Sequence, residues 1–441
     1  PGVTLSGIFT KWIPSNRVLT FGKVRVAYGK TGNDASPYYT ATNYIQAYAD
    51  GTYARDIISF PMNSVNAFRA STTSGSSSLR PEMTSEFEVG ANLKFFNGRI
   101  DIDASYYNRD TNDQIFTLPV DPSTGFSSQV TNFGKVRNRG VELMVNTVPI
   151  QTKNFTWELG FNFTKNHNKV LSMPESLEGG KVTIYSFSAG NDAVYMYAEQ
   201  GKPLGQYYTY LPQFVTQKDS PYYGAPIVGT DGQPVIGSTL EATGFDMNHD
   251  WTGGITTSIR IFDVTLSAAF DIRYGGKMFS RTKNLMQFTG NGVVTEQNER
   301  RPFIIPGSVV ATGYDSEGVP NSFAPNTQPI YVANSSFQNY FSEKGWGQGG
   351  LAYLTDRTYC KIRNISLTWN LPAKWLKSIY LSDVVLTAYC NNPFLWTGKD
   401  NRYVDPETTT VTGSTDLAYG FGELYSNPSC RSFGVNLKVN F

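Results

Sequence analysis

From Glu86 the chain alternates for ten residues, with Phe87, Val89, Ala91, Leu93 and Phe95 interleaved with Glu86, Glu88, Gly90, Asn92 and Lys94. A side-chain period of two marks a β-strand with one apolar face. Asn97-Gly98 then supplies a tight turn. Beyond it Ile100, Ile102, Ala104 and Tyr106 alternate with Asp101, Asp103 and Ser105, so the two runs predict a hairpin. The pattern returns in Val141, Leu143 and Val145; in Phe155, Trp157, Leu159, Phe161 and Phe163; and in Val264, Leu266, Ala268, Phe270 and Ile272. It returns last in Phe433, Val435, Leu437, Val439 and Phe441. About twelve such segments are legible, most near the ~9–11 residues that a tilted strand needs to cross a bilayer. No convincing amphipathic helix is predicted anywhere.

The connections between these strands fall into two populations that take turns along the chain. Phe96 to Gly98, Pro149 to Lys153, Phe262 to Asp263 and the somewhat longer Pro372 to Leu381 are short. Residues 30–83, 117–130, 166–250, 275–350 and 393–429 are long and rich in Gly, Ser, Thr, Asn, Pro and Tyr. Structureless connections of that length are uncommon in a compact soluble domain. Outer-membrane barrels make them routinely, with short periplasmic turns at one end and long extracellular loops at the other.

Aromatic positions give an independent reading. Phe95, Phe96, Phe155, Trp157, Phe262, Trp369, Trp375 and Phe441 lie at the short-turn ends, while Tyr106, Tyr107 and Phe163 lie about nine residues away along the strands. Two aromatic belts at the two rims of a membrane barrel is the natural interpretation. A soluble β-sandwich also alternates, but its strands average ~5–6 residues and its loops stay short.

Composition removes several classes. No stretch approaches the ~18 apolar residues of a membrane-spanning helix, and mean hydropathy is −0.31. A membrane barrel remains open, because its outward apolar and inward polar residues average out. The 441 residues carry 37 Lys and Arg against 36 Asp and Glu, which gives no basic footprint for nucleic acid. Aromatics at 14% with charged residues at 17% oppose disorder. Cys360, Cys390 and Cys430 cannot all pair and lack CxxC spacing, so they read as isolated thiols. Two histidines, His167 and His249, cannot build a multi-histidine metal centre, and acid–base catalysis starts from a weak position. The opening PGVTLSGIFT has neither an initiator Met nor a signal segment, which predicts that the gene product begins further upstream.

Several blocks carry a resemblance to a known family. They are VRVAYGKTGN at 24–33, SLRPEMTSEFEVGANLKFFNGRIDIDASYYNRDTNDQIF at 78–116 and STGFSSQVTNFGKVRNRGVELMVN at 123–146. FTWELGFNFTKNHNKV at 155–170, YCKIRNISLTWNLP at 359–372, YVDPE at 403–407 and the terminal SFGVNLKVNF follow in order. Together they resemble the C-terminal portion of the SusC/RagA-like TonB-dependent transporters of Bacteroidota outer membranes. The resemblance implies an all-β fold, a transmembrane antiparallel barrel of 22 strands in the complete family member, with a plug domain and a TonB-contacting segment outside the blocks matched here. It also implies an active importer of glycans or peptides, capped by a SusD-like surface lipoprotein and energised through TonB. Residues 1–441 would form one partial barrel domain seated in outer-membrane lipid, with extracellular loops near 30–83, 166–250, 275–350 and 393–429. The terminal Phe433, Val435, Leu437, Val439 and Phe441 look like the signal read by barrel-assembly machinery. A passive porin and a soluble or surface sandwich used for binding or adhesion are the alternatives.

Candidate chemistry is sparse, and neither a catalytic group nor a cofactor site is predicted. Asp246, Asn248 and Asp250 have the spacing of a calcium loop, but Trp251 stands where Gly is needed and Thr257 where Glu is needed. Gly29-Lys30-Thr31 ends like a phosphate loop, but Val24 occupies its first Gly position. The segment GWGQGG at 345–350 reads as a flexible extracellular loop, with Trp346 exposed and able to lie flat against a sugar or peptide. Tyr44, Tyr48, Tyr222 and Tyr223 belong to Tyr-rich loops that could form a ligand or partner surface, since Tyr gives large contact area for little entropy. Arg137 and Arg139 are expected to face the lumen, where charge is solvated.

Overall fold

The alternating segments pair in chain order. In the computed structural model, eleven strands form one antiparallel sheet: β1 (Gly2–Ile8), β2 (Leu19–Asn33), β3 (Glu82–Phe95), β4 (Ile100–Pro119), β5 (Ser128–Gln151), β6 (Phe155–Ser172), β7 (Trp251–Ile261), β8 (Val264–Tyr274), β9 (Tyr359–Asn370), β10 (Asp383–Thr397) and β11 (Ser432–Asn440). The short segment Thr73–Ser74 joins β5 from the side. The structure describes all residues but 15, 47–64, 67, 175–176, 178–179, 188–192, 332–335, 378–380, 410–419, 425 and 428. Among the described residues β1 and β11 do not pair with each other, so the sheet is an open arc. Its eleven strands are half of the twenty-two that the family resemblance implies.

Register converts the sequence alternation into one continuous apolar surface. Val26 sits opposite Val89, Val89 opposite Tyr106 and Tyr106 opposite Val141. Further along, Phe161, Ile255, Phe270, Ile362 and Phe394 follow one another across five strands, and Leu386 faces Leu437. No second sheet covers this face: Val26 is 39% exposed, Val141 43%, Leu266 46% and Leu437 62%. A sandwich would bury these side chains, whereas a barrel wall gives them to lipid. From Trp251 to Ile261 the chain takes roughly ten steps of ~3.3 Å, which at a tilt of ~40° spans ~25 Å, the height of a barrel's apolar band.

Both edges of the band carry rings. At the short-turn edge Trp369 and Trp375 meet edge to face at 5.9 Å, and Phe262 is 62% exposed on its turn. At the other edge Phe163, Trp251 and Tyr274 make a row with centroids 5.8 and 5.7 Å apart, and Phe394 stacks on Trp396 at 5.8 Å.

The connections depart from expectation. Strands β4 and β5 run 20 and 24 residues, past the band, so only 120–127 link them instead of 117–130. The remaining long connections cover 34–81, 173–250, 275–358 and 398–431. Their described parts are folded, not structureless. Lys181–Phe187, Val194–Glu199, Gln206–Pro212 and Ile236–Asp246 make a four-stranded sheet, and Leu354–Asp356, Lys277–Ser280 and Gly422–Glu423 make a smaller one from two different connections. Val194, Met196, Tyr207, Phe279, Tyr353, Leu354 and Phe421 form a buried core that joins three connections into one layer. Short helices also occur here, including α1 (Arg281–Phe288), too brief for a period of 3.6 to stand out in the sequence.

Candidate functional site

Opposite the lipid-facing band, the alternate positions of the strands build an inner wall of paired charges. Arg25 reaches Asp103 at 2.9 Å and Glu88 at 3.2 Å, Lys94 reaches Asp101 at 3.2 Å, and Arg109 reaches Glu86 at 2.9 Å. Arg25, Glu86, Glu88, Arg109, Glu142 and Asn166 line a hollow of about 500 Å³. These groups are partly hydrated, so each pair contributes little stability, ~0–1 kcal/mol, and the wall is best read as a polar surface. Arg137 corrects an expectation. It shares its strand face with Val141 and Leu143, beyond the apolar band, and bonds Asp110 at 2.6 Å beside Lys135 at 2.8 Å. The period of two that places Val141 outward also places Arg137 there.

Higher on the wall, two blocks that the sequence keeps forty residues apart come together. Lys361 of β9 is 1% exposed, and its Nζ donates to Asp405 Oδ2 at 2.6 Å and Glu407 Oε2 at 2.8 Å. Arg363 donates to Glu407 Oε2 at 2.6 Å and to Asp271 of β8 at 3.1 Å, and Tyr359 Oη donates to Asp271 at 3.0 Å. The YVDPE segment is thereby clamped against the inner face. The Arg363 hydrogen bond holds the Glu407 carboxyl at about 2, against the opposing effect of burial. Burial also opposes ionisation of Asp405, but hydrogen bonds from Lys361 and Ser429 outweigh it and its pKa is lowered.

Beside this clamp the loop layer encloses a cleft of about 820 Å³. Trp346 lines it and is half-buried, not exposed as expected: its ring meets Tyr353 edge to face at 6.1 Å. Its backbone is left-handed at φ 42, between Gly345 at 50 and Gly347 at 87. An aromatic residue pays ~1–2 kcal/mol for that conformation, and flanking glycines adopt theirs freely. GWGQGG is therefore a shaped turn that presents a ring, not a flexible loop. Lys283 of α1 also lines the cleft, with its Nζ 5.6 Å from the Trp346 ring centre.

The other candidate residues do not gather. Tyr222 packs on the small core of Val215, Ile227 and Val309, while its neighbour Tyr223 is 59% exposed. Tyr44 is 77% exposed on the strand Tyr44–Gln46, which pairs with Phe68–Ala70. Tyr48 lies outside the described residues. Phe433, Val435, Leu437 and Val439 share the outward face of β11, and Phe441 follows at 96% exposure. At the calcium-like segment, Asn248 donates from its N and Nδ2 to Asp246 Oδ1, at 2.8 and 3.0 Å. Among the described residues no three His, Cys, Asp or Glu side chains converge to hold a metal. Lys283, Lys361 and Glu423 were not singled out in the sequence, because each acquires its meaning from a partner more than forty residues away.

Comparison with known proteins decides what this wall belongs to. Residues 9–176 match the family model described as TonB dependent receptor-like, beta-barrel. The TonB-dependent receptor P3 of Formosa agariphila is 24% identical over 98% of this chain and 40% of its own length. The chain is similar to the TonB-dependent receptor β-barrels. The TonB-dependent receptor SusC of Bacteroides thetaiotaomicron is 32% identical over 40% of this chain and 17% of its own. The solved RagAB peptide transporter superposes with a TM-score of 0.67, at 18% identity, over all of this chain and 43% of that one, which establishes the shared fold. The chain thus spans about two fifths of the length of the curated relatives it matches most fully. The barrel resides in the outer membrane.

Proposed function

We propose that this chain forms part of the barrel wall and the extracellular layer of an outer-membrane active importer of glycans or peptides. In this reading TonB drives opening through a segment outside these residues, and a SusD-like lipoprotein caps the layer and delivers cargo. Nothing in this mechanism calls for covalent catalysis; transport rests on differential binding and conformational change. The observation that carries the reading is the pairing of a hydrated, charge-paired inner wall with a folded extracellular layer whose clefts lie beside that wall. Exposed Tyr44 and Tyr223 are suited to the lipoprotein contact, since each offers a large amphipathic ring at low entropic cost. The outward apolar row of β11, closed by Phe441, is suited to recognition by the barrel-assembly machinery.

The test uses the complete receptor, isolated from its native membrane in mild detergent by a tag on an extracellular loop. Mass spectrometry is expected to find a co-purified surface lipoprotein. Cells depleted of TonB are expected to lose uptake while retaining surface binding. Uptake that persists without TonB would instead mark a passive pore.

A further inference from the structure

The cleft beside Trp346 contains a buried cation that, among the described residues, no acid pairs with directly. Lys283 is 8% exposed. Its backbone is fixed by Ser280, whose Oγ accepts from Lys283 N at 3.1 Å as the N-cap of α1. The fully buried Glu423 does not neutralise the ammonium, because its carboxylate is already engaged at the start of the helix. It accepts from Ser280 Oγ at 2.6 Å, Thr282 N at 2.7 Å and Thr282 Oγ1 at 3.0 Å. Asp400, the one acid of the lining, is bound to Lys277 Nζ at 2.8 Å and attracts Lys283 only from beyond ion-pair distance. Among the described residues Lys283 Nζ has no hydrogen-bond or ion-pair partner, and its recorded neighbour is the Trp346 ring.

Burying an ammonium without an anion is expensive, and burial lowers the pKa of Lys283 accordingly. Such a group persists where something repays it. The rest of the lining is suggestive of what that is: Lys277, Lys283, Lys399 and Arg402 stand against Asp400 alone, and Trp346, Phe245 and Tyr403 add ring faces. The positive side chains select an anion, and the rings select a ligand with a flat or aliphatic surface next to it.

We propose that this cleft is a carboxylate subsite, in which Lys283 receives a carboxylate of the cargo and Trp346 packs against the sugar ring or side chain that bears it. The proposal rests on the importer reading for its ligand, and deepens it: cargo is acidic. A uronate and a peptide carboxylate offer the same chemistry, so the test separates them.

Binding is measured by calorimetry on the complete receptor in detergent, with four probes: a galacturonate trisaccharide, the neutral galactose trisaccharide, an N-acetylated hexapeptide with a free C-terminal carboxylate, and its C-terminal amide. One acidic probe is expected to bind ~10-fold or more tightly than its neutral counterpart, the effect of a hydrogen bond to a charged group. Which pair shows the difference assigns the source. Lys283→Gln is expected to abolish the difference, and Lys283→Arg to retain most of it. Heat-dependent gel mobility verifies that each variant is folded. Equal affinity for acidic and neutral members of both pairs, no binding of either acidic probe, or discrimination that survives Lys283→Gln would each overturn the assignment. Uptake is scored separately, so acid-selective binding without TonB-dependent transport would sink the importer reading and leave the subsite standing.

Discussion

Replacing Lys361 by methionine removes the cation from the clamp that holds residues 403–407 to the inner wall, and fills its place with an apolar chain of similar length. Asp405, whose side chain is 4% exposed, is then left without its ion-pair partner, while Glu407 keeps Arg363. Breaking a buried pair by deleting one partner typically costs ~3–5 kcal/mol. The penalty falls on the 398–431 connection and not on the barrel, because β9 keeps its full pairing with β8 and β10. At ~1.4 kcal/mol per power of ten, opening of the segment becomes roughly two to three and a half powers of ten more frequent. The reporters are the amides of Glu407 and Thr408, which donate to Asp405 Oδ1 at 3.1 Å and to its backbone oxygen at 3.0 Å. Their hydrogen exchange should accelerate by that factor in the detergent-solubilised receptor, with heat-dependent gel mobility unchanged. Adding Asp405→Asn should restore much of the protection, since the buried charge is then gone. Unchanged exchange at both amides in a folded Lys361→Met barrel would refute the reasoning and show that other contacts hold the segment.

Three further outcomes are expected. Ile255→Arg, midway up the lipid-facing side of β7, should destabilise the barrel by ~2–4 kcal/mol and lower its yield in the outer membrane, whereas Ser267→Arg on the inner face of β8 should be tolerated; equal yields would contradict the assignment of faces. Gly422→Ala would place a Cβ 2.0 Å from the backbone oxygen of Phe279, so the core of the loop layer should loosen by ~1–3 kcal/mol, read as faster exchange of the Phe279 amide that donates to Phe421 O at 2.9 Å. Acid should weaken the folded loop layer in two stages. Burial, with Arg357 nearby, depresses His249 from 6.5 to about 3, so the unfolded layer takes up the proton first and stability present above 6.5 is lost as pH falls toward 3. Glu407, lowered from 4.5 to about 2, adds a loss that begins below 4.5 and is complete below about 2. Protease sensitivity of the layer should therefore rise on acidification, and His249→Asn should flatten the part of the profile above 4.5.

The wall of this protein was legible residue by residue. Phe87 to Phe95 and Ile100 to Tyr106 read as a hairpin and are one, and Phe262, Trp369, Phe163 and Trp251 lie at the two rims, whereas Tyr107 turns to the inner wall and donates to Asn166. Arg137 shows the limit of reading a residue by type: its charge pointed to the lumen, while its spacing from Val141 already placed it outward. The loops were the weaker part. Their Gly, Ser and Tyr content concealed a packed layer, since Val194, Phe279, Tyr353 and Phe421 share no local period and become a core only when three connections meet.

What the sequence determined by itself is what a strand enforces locally. A period of two fixes which side chains face lipid, and a bilayer of given thickness fixes strand length. The similarity to TonB-dependent receptor barrels followed from the same blocks. What only the tertiary structure decided is where distant charges meet: Lys361 with Asp405 and Glu407, Glu423 with the start of α1, and Lys283 with the Trp346 ring in place of an ion-paired acid. Such pairings depend on how long connections return to the wall, and no periodicity in the chain encodes that return. The local rule builds the barrel, and the non-local contacts shape what the barrel can recognise.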